Sequence, residues 1–211
     1  MLNALIKSKD SILTIPSILS AQDALDLLET RQMRCAPVVD ESNSMYRGNV
    51  YRYHIYQYYY QNPNTDLAQL PVTHFLKNST RFIHENDSIY QLFFEIRDLP
   101  YICVLNKDSR FIGIITHREL MHYLSEAWLA NQGSYLIEVK LDDISRDLIR
   151  VERIIQRYAQ LEHCLSFNKT SQTDYSFVVF ALPSTVDYVD LLSLMDELKR
   201  RQYHANYFTL N

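Results

Sequence analysis

The stretch FIGIITHREL (residues 111–120) joins an apolar segment that contains a glycine to a charged segment that begins after a threonine. Gly113 is one of only three glycines among 211 residues. Thr116 and Glu119 have the spacing of a capping box, in which each side chain satisfies a free N–H group at the start of a helix. The stretch predicts a strand that leads directly into a helix. A phosphate or ribose site at this junction is the second interpretation, because helix N-termini favour anions.

The same arrangement occurs 65 residues earlier, around Gly48. Residues 11–40 precede it and predict a short strand, a helix that Ser20 opens with Asp23 as its capping partner, and a second strand. A polar turn then leads into the strand that contains Gly48, and another helix follows.

Residues 81–106, which precede Gly113, predict the same order of elements, with Asn86 or Asp87 as the cap of the helix. A β-α-β-β-α unit is therefore present twice, and an internal repeat of this kind takes precedence over any single motif. A unit of roughly 50 residues is too small to bury its own sheet face, so the two copies are expected to pack sheet against sheet.

Such a pair has two clefts, related by pseudo-symmetry, where strand ends of both copies meet. A glycine beside a cleft lets backbone approach a ligand closely, and Arg118 has the forked shape that suits a phosphate. The two junctions differ, because Tyr51 and His54 stand in the first copy where Thr116 and Glu119 stand in the second. We therefore expect one well-formed nucleotide cleft per chain.

Composition places the chain among ordinary globular proteins, since 47% of its residues are apolar and 22% are charged. A formal net charge of −4 argues against binding to nucleic acid, which draws mainly on a basic surface. The first ten residues lack the apolar core of a signal peptide, and runs such as FVVFAL (177–182) are too short to span a bilayer. Three widely spaced cysteines suit free thiols in a reducing compartment. A cytoplasmic protein with no membrane segment is expected.

The repeat resembles a pair of cystathionine-β-synthase (CBS) motifs, the Bateman module, over roughly residues 8–126. Gly113–Glu119 matches the strand-to-helix signature of that family, and CAPVVDE (35–41) is similar to its second strand. In this family the clefts bind adenine nucleotides. The resemblance implies that Thr116 and Glu119 hold phosphate and ribose while strand backbone reads adenine.

Residues 82–120 also resemble the second repeat of bacterial CBS-pair proteins that bind cyclic di-AMP. That group has a lysine in its first strand where this chain has Ser11, and Lys9 is the nearest substitute. A bis-phosphate ligand suits Arg34 and Arg118. The resemblance implies a nucleotide site formed by Ser11, Ile12, Leu13, Arg34, Cys35, Ala36, Pro37, Thr116, His117, Arg118 and Glu119.

The last third of the chain changes pattern and predicts the order βαββαβ, the ferredoxin-like split βαβ. Attached to a CBS pair, it resembles an ACT domain, a module that in many proteins binds amino acids at the loop after its first strand. Here that loop, DDISRDL (142–148), lacks the usual proline and glycine, which favours dimerisation or partner contact over a small-molecule site. Its aspartates are expected to stabilise a helix start instead of binding a metal.

The segment YRYHIYQYYY (51–60) holds six tyrosines. One interpretation is base stacking, as in proteins that bind single-stranded nucleic acid. The alternative, which the negative charge favours, is a helix with Tyr53, Tyr56 and Tyr60 packed inward or across a dimer contact.

We therefore predict an α+β protein with a first CBS motif and linker over residues 1–78, a second over 79–128 and an ACT-like domain over 135–211. The predicted function is that of a non-enzymatic sensor without cofactor or metal, which binds cyclic di-AMP or another adenine nucleotide. It would form a homodimer and act on an unidentified regulated protein. The alternatives are an AMP- or ATP-sensing CBS-ACT protein and a dimeric scaffold that binds no ligand. An enzyme or a direct transcription factor fits less well, because no nucleophile motif, metal set or basic helix-turn-helix is evident.

Overall fold

The structure is a computed structural model that describes residues 2–127, 133–161, 163–171 and 175–209. The chain divides into two compact units, Met1–Met121 and His122–Asn211. The finer domain limits at residues 78, 128 and 135 stay predictions. Within the described ranges, no helix has both the length and the apolar character that crossing a membrane requires.

The first repeat follows the predicted order. The hydroxyl of Ser20 accepts from the N–H of Asp23 at 3.1 Å and donates to its carboxylate at 2.7 Å, so the predicted capping pair is confirmed. The elements up to the linker are β1 (Lys7–Ser8), β2 (Ile15–Pro16), α1 (Ala21–Thr30), β3 (Cys35–Val39), β4 (Tyr46–Tyr51) and α2 (Arg52–Gln61). Strand β3 pairs parallel with β2 and antiparallel with β4.

The second repeat has the same topology, with β6 parallel to β5 and antiparallel to β7. Its elements are β5 (Phe82–His84), α3 (Ile89–Ile96), β6 (Tyr101–Leu105), β7 (Phe111–Thr116) and α4 (His117–Ala127). The predicted caps of α3 were wrong: Ser88 caps this helix by accepting from the N–H of Gln91 at 3.1 Å. Asp87 instead accepts from the N–H of His84 at 2.8 Å.

Each repeat receives a segment from outside itself beside its glycine strand. Strand β1, which precedes the first repeat, pairs with β7 of the second repeat, with Lys7 opposite Ile114. Lys77, which precedes the second repeat, bridges to Asn49 on β4 of the first repeat. This reciprocal exchange ties the two repeats together and makes Lys77 the counterpart of Lys7.

A shared apolar cluster supports the predicted packing of sheet against sheet. It contains β3 of the first repeat and β6 and β7 of the second, whose inward side chains exclude water from the space between the sheets. The buried members of this cluster are Cys35, Val39, Tyr101, Cys103, Leu105, Phe111 and Ile114.

The second unit carries the predicted ferredoxin-like fold. Its antiparallel strands lie in the order β11-β8-β10-β9, as the split βαβ topology requires. The elements are β8 (Gly133–Leu141), α5 (Ile144–Ile155), β9 (His163–Phe167), β10 (Ser176–Pro183), α6 (Tyr188–Arg200) and β11 (His204–Thr209). On α6 the buried side chains are Leu191, Leu194 and Leu198, and Leu192 is exposed.

Two of the aspartates in residues 142–148, Asp143 before α5 and Asp147 in its first turn, act on the start of this helix, as expected. Asp143 caps α5 by accepting from the N–H of Arg146 at 3.3 Å. Asp147 is buried and forms an ion pair with Arg146 at 2.9 Å. The hydrogen bond from Arg146 lowers the pKa of the Asp147 carboxyl, so that its negative charge is kept and balanced inside the fold.

Candidate functional site

A cleft of about 640 Å³ lies in the first unit and has walls from both repeats. The segment before α1 forms one side, β3 the second, and β6 and β7 the third. Its lining consists of Lys7, Asp10, Ser11, Ile12, Leu13, Thr14, Arg31, Met33, Cys35, Pro37, Tyr101, Ile114 and Thr116. The volume lies within the range of small-molecule sites in proteins.

Six of the eleven predicted site residues line this cleft. They come from three separate parts of the chain and are Ser11, Ile12, Leu13, Cys35, Pro37 and Thr116. The structure therefore brings these three parts of the chain together at one cleft. The remaining five residues, Arg34, Ala36, His117, Arg118 and Glu119, do not line the cleft, and a part in ligand binding stays a prediction for all eleven.

Strand alternation explains why Ala36 is absent from the lining. Its neighbours Cys35 and Pro37 face the cleft, and Ala36 faces the opposite side of the sheet, in the apolar core beneath the helices of the first repeat. Arg34 has an exposed side chain, and its carbonyl accepts from the N–H of Arg52 at 3.0 Å.

The junction of β7 and α4 combines the predicted capping pair with a lysine that the sequence did not indicate. The Thr116 hydroxyl bonds to one Glu119 oxygen, and Lys7 forms an ion pair with the other at 2.9 Å. Partial burial acts to raise the pKa of the Glu119 carboxyl, but the hydrogen bond and charge of Lys7 outweigh it and leave that pKa lowered. Glu119 is therefore an anion at neutral pH, able to accept from hydroxyl groups, and Lys7 brings a positive charge to the cleft wall.

His117 and Arg118 point to other partners. The imidazole Nε2 of His117 lies 2.7 Å from the carbonyl oxygen of Leu99, which ties the start of α4 to the chain before β6. The Arg118 side chain is 82% exposed and approaches Glu119 at 3.6 Å. It lies beside the junction, outside the cleft lining.

The charged groups that do line the cleft are Lys7, Arg31 and Asp10. Lys9, the substitute suggested for the lysine of cyclic-di-AMP-binding proteins, donates instead to the carbonyl of Asn43 at 2.7 Å. Lys7 reaches the cleft because its strand pairs with β7. Arg31 is exposed, and among the described residues no hydrogen bond or ion pair engages its guanidinium.

Gly113 has a different role from the one expected. A side chain there would lie 2.0 Å from the carbonyl oxygen of Lys7, so the glycine admits the backbone of β1 and not a ligand. At Gly48 the corresponding distance to the carbonyl oxygen of Lys77 is 3.1 Å. Both glycines thus serve the exchange of segments between the repeats.

Two groups in the cleft wall are held in their neutral form. Burial raises the pKa of the Cys35 thiol to about 11, although a hydrogen bond with Tyr101 opposes the shift. Burial also raises the pKa of Tyr101 well above its ordinary value. A protonated thiol is a poor nucleophile, so this wall is suited to contact a ligand and not to attack it.

In the first repeat, the junction of β4 and α2 is filled by side chains that bond to or pack against one another. The hydroxyl of Tyr51, at the place of Thr116, accepts from the amide of Asn78 at 2.8 Å, and Tyr46 donates to the Asn78 carbonyl at 3.0 Å. The ring of His54 lies edge-on to Tyr51, with centroids 5.6 Å apart. The hydroxyl and carboxylate of Thr116 and Glu119 are thus replaced here by packed rings.

The tyrosine-rich segment forms helix α2, but the predicted inward packing was wrong. Ile55 is the buried residue of this helix, and Tyr53, Tyr56 and Tyr60 are exposed. Base stacking and a contact between two copies of the chain, the other two interpretations, are not tested by this burial, and the contact between copies stays the prediction.

Comparison with known proteins agrees with the repeat. The CBS domain family profile matches residues 6–60 and 69–126, whereas no curated protein matches. CbpB of Listeria monocytogenes, solved in complex with c-di-AMP, shares 18% identity over 59% of this chain and 95% of its own, with a TM-score of 0.52. CbpB of Streptococcus agalactiae shares 20% identity over 59% of this chain and 80% of its own, with a TM-score of 0.53. The family profile covers more than half of the sequence, and the chain belongs to the CBS domain family, with two CBS motifs in tandem.

Proposed function

We propose that the protein is a regulatory sensor without enzymatic activity, whose CBS-pair cleft binds an adenine nucleotide, with cyclic di-AMP as the ligand. The observation that carries the proposal is the cleft itself, in which Thr116, two cationic side chains and the apolar side chains of β3 meet from both repeats. The c-di-AMP complex of the structurally similar CbpB supports the choice of ligand.

The polar and apolar walls suit different parts of such a ligand. Lys7 and Arg31 supply positive charge for phosphate oxygens, and Thr116, whose hydroxyl bonds to Glu119 outside the lining, supplies an oxygen for contact with a ribose. Ile12, Leu13 and Met33 give an apolar surface on which an adenine ring can pack. Because the walls belong to both repeats, a bound ligand favours one relative packing of the repeats over another, which is the requirement for signalling to a partner protein.

A panel of ligands tests this function directly. Thermal unfolding of the full chain is measured with cyclic di-AMP, AMP, ADP, ATP, NAD and S-adenosylmethionine, followed by calorimetry with those that shift the transition. A ligand at 100 times its dissociation constant adds about 2.7 kcal/mol of stability. We expect cyclic di-AMP to give the largest shift. A response to AMP or ATP alone would support the mononucleotide sensor, and no shift with any nucleotide would support the scaffold.

Lys7→Gln is expected to weaken cyclic di-AMP binding about tenfold, because it removes one charge-assisted hydrogen bond to phosphate. The matched control is Lys9→Gln, which removes the same charge two residues away, at a side chain that faces Asn43. Calorimetry on both variants measures the difference. If Lys7→Gln and Lys9→Gln lose the same affinity, Lys7 does not contact the phosphate. Arg118→Ala then tests the phosphate contact that the family resemblance favours.

We also propose that two copies associate through the exposed tyrosines of α2. Light scattering is expected to give twice the mass of one 25.0 kDa chain. Tyr53→Glu with Tyr60→Glu should shift the mass towards one chain, because charge is poorly tolerated at the centre of an interface. Tyr90→Glu, at an exposed tyrosine on α3, is the control. A monomeric native protein, or a dimer that survives both changes on α2, contradicts this interface.

A further inference from the structure

A second pocket lies in the first repeat, between α2 and the 3-10 turn Val72–Phe75, outside the lining of the nucleotide cleft. It has a volume of about 210 Å³ and is lined by His54, Gln57, Tyr58, Gln61, His74, Phe75 and Lys77. Phe75 is buried at its base, and the rings of Tyr58 and Phe75 pack edge-on, with centroids 5.3 Å apart. The polar members of the lining carry N–H or O–H donors, or a positive charge, and none is a carboxylate.

The pseudo-symmetry of the repeats shows what is missing from this pocket. Lys7 and Lys77 are counterparts, because one pairs with Ile114 after Gly113 and the other bridges to Asn49 after Gly48. In the second repeat the lysine has its counter-ion, since Lys7 contacts Glu119 at 2.9 Å. In the first repeat the residue at the place of Glu119 is His54, so Lys77 has no carboxylate from that position.

The lost carboxylate is not replaced from elsewhere in the part of the chain that the structure describes. There, Lys77, Gln57 and Gln61 have no side-chain hydrogen bond or ion pair, and His54 and His74 have only ring contacts. The carboxylate that does contact α2, that of Glu29, is already engaged by Arg52 at 2.9 Å and by the Tyr56 hydroxyl at 2.5 Å.

We propose that this pocket binds a small free anion through a phosphate or carboxylate group, which takes the place of the missing acidic side chain. The Lys77 ammonium, two imidazoles and two side-chain amides then supply donors from different directions, and bonds to an ionised acceptor are the stronger class of hydrogen bond. Two imidazoles beside an ammonium group disfavour a metal cation, because the lysine charge repels it. This site is independent of the nucleotide cleft.

The test uses the full chain without nucleotide and two probes, inorganic phosphate and succinate, at constant ionic strength. Histidine ring signals are followed by NMR during each titration. We expect saturable shifts at His54 and His74 with at least one probe, and the tighter probe identifies the preferred group. The absence of saturable shifts at both histidines with both probes overturns the proposal.

Two variants locate the site. Lys77→Gln should weaken binding of the tighter probe about tenfold, whereas Lys107→Gln, the same change at an exposed lysine outside the pocket, should leave it unchanged. His54→Glu should abolish binding, because the new carboxylate supplies Lys77 with the counter-ion that Glu119 gives Lys7. An unchanged affinity in Lys77→Gln contradicts the site even if His54→Glu fails to fold. Cyclic di-AMP binding measured on Lys77→Gln should equal that of the native chain, which separates this proposal from the nucleotide function.

Discussion

Replacing Gly113 by alanine is expected to lower the free energy of unfolding of the CBS pair by about 4 kcal/mol, the largest effect predicted here. The new Cβ would lie 2.0 Å from the carbonyl oxygen of Lys7 and 2.9 Å from a side-chain carbon of Ile6. Backbone φ at Gly113 is +158°, which side chains rarely adopt. Strand β1 must therefore move away from β7, and thermal unfolding of this unit should begin roughly 15 °C lower.

Gly48→Ala is the matched control for this change. Its φ is similarly unusual at +145°, but the nearest atoms are the carbonyl oxygen of Lys77 at 3.1 Å and the flexible side chain of Leu76 at 3.3 Å. We expect a loss of about 1–2 kcal/mol, mainly from the backbone. Equal effects of the two substitutions would show that backbone conformation, and not the approach of β1, explains the glycine at position 113.

Gly113→Ala should also weaken nucleotide binding, since Lys7 reaches the cleft only while β1 is paired. Calorimetry with cyclic di-AMP on the folded variant, at a temperature below its transition, measures this effect. If Gly113→Ala loses stability but keeps its full affinity, ligand binding does not depend on the position of Lys7.

The repeated unit and the ferredoxin-like fold were predictable because their signals are local. Apolar residues at helical or strand spacing, polar turns and the Ser20–Asp23 capping pair specify each element within a few residues. The cap of α3 was missed where three candidates stand in a row, Asn86, Asp87 and Ser88. Their spacing alone does not decide which backbone conformation each adopts. In the structure the Asp87 carboxylate accepts from the N–H of His84, and Ser88 is the cap.

The site was predicted less completely because part of it depends on contacts that are distant in sequence. Lys7 enters the cleft through its pairing with Ile114, and Tyr101 enters as the second-repeat counterpart of Cys35. The internal repeat in the sequence is the signal that relates Tyr101 to Cys35. The family resemblance was applied to whole segments, so it also included residues that face away from the cleft. Ala36 is one of these, because successive side chains of a strand point to opposite faces of the sheet. The direction of the long Arg118 side chain cannot be inferred from spacing at all.

Asn49→Leu is expected to destabilise the CBS pair by about 2 kcal/mol, the second largest effect predicted here. Asn49 is 1% exposed, and its backbone exchanges hydrogen bonds of 2.7 and 2.9 Å with Lys77. Its side-chain oxygen accepts from the Tyr101 hydroxyl at 2.9 Å and lies 3.8 Å from the Cys103 sulfur. Leucine keeps the approximate shape and the backbone pairing, so the loss comes from a buried Tyr101 hydroxyl that no longer has its acceptor.

A double-mutant cycle with Tyr101→Phe isolates that loss, since the two side chains are in direct contact. Tyr101→Phe alone should cost less, about 1 kcal/mol, because the Asn49 oxygen keeps the Cys103 thiol nearby. With both changes no unpaired hydroxyl is left, and the double variant should be at least as stable as Asn49→Leu. Urea unfolding of the four proteins gives the coupling energy. Additive losses would mean that the Tyr101–Asn49 bond does not stabilise the interface between the repeats. A favourable coupling would mean that Tyr101, which also lines the cleft, holds the two repeats together through its bond to Asn49.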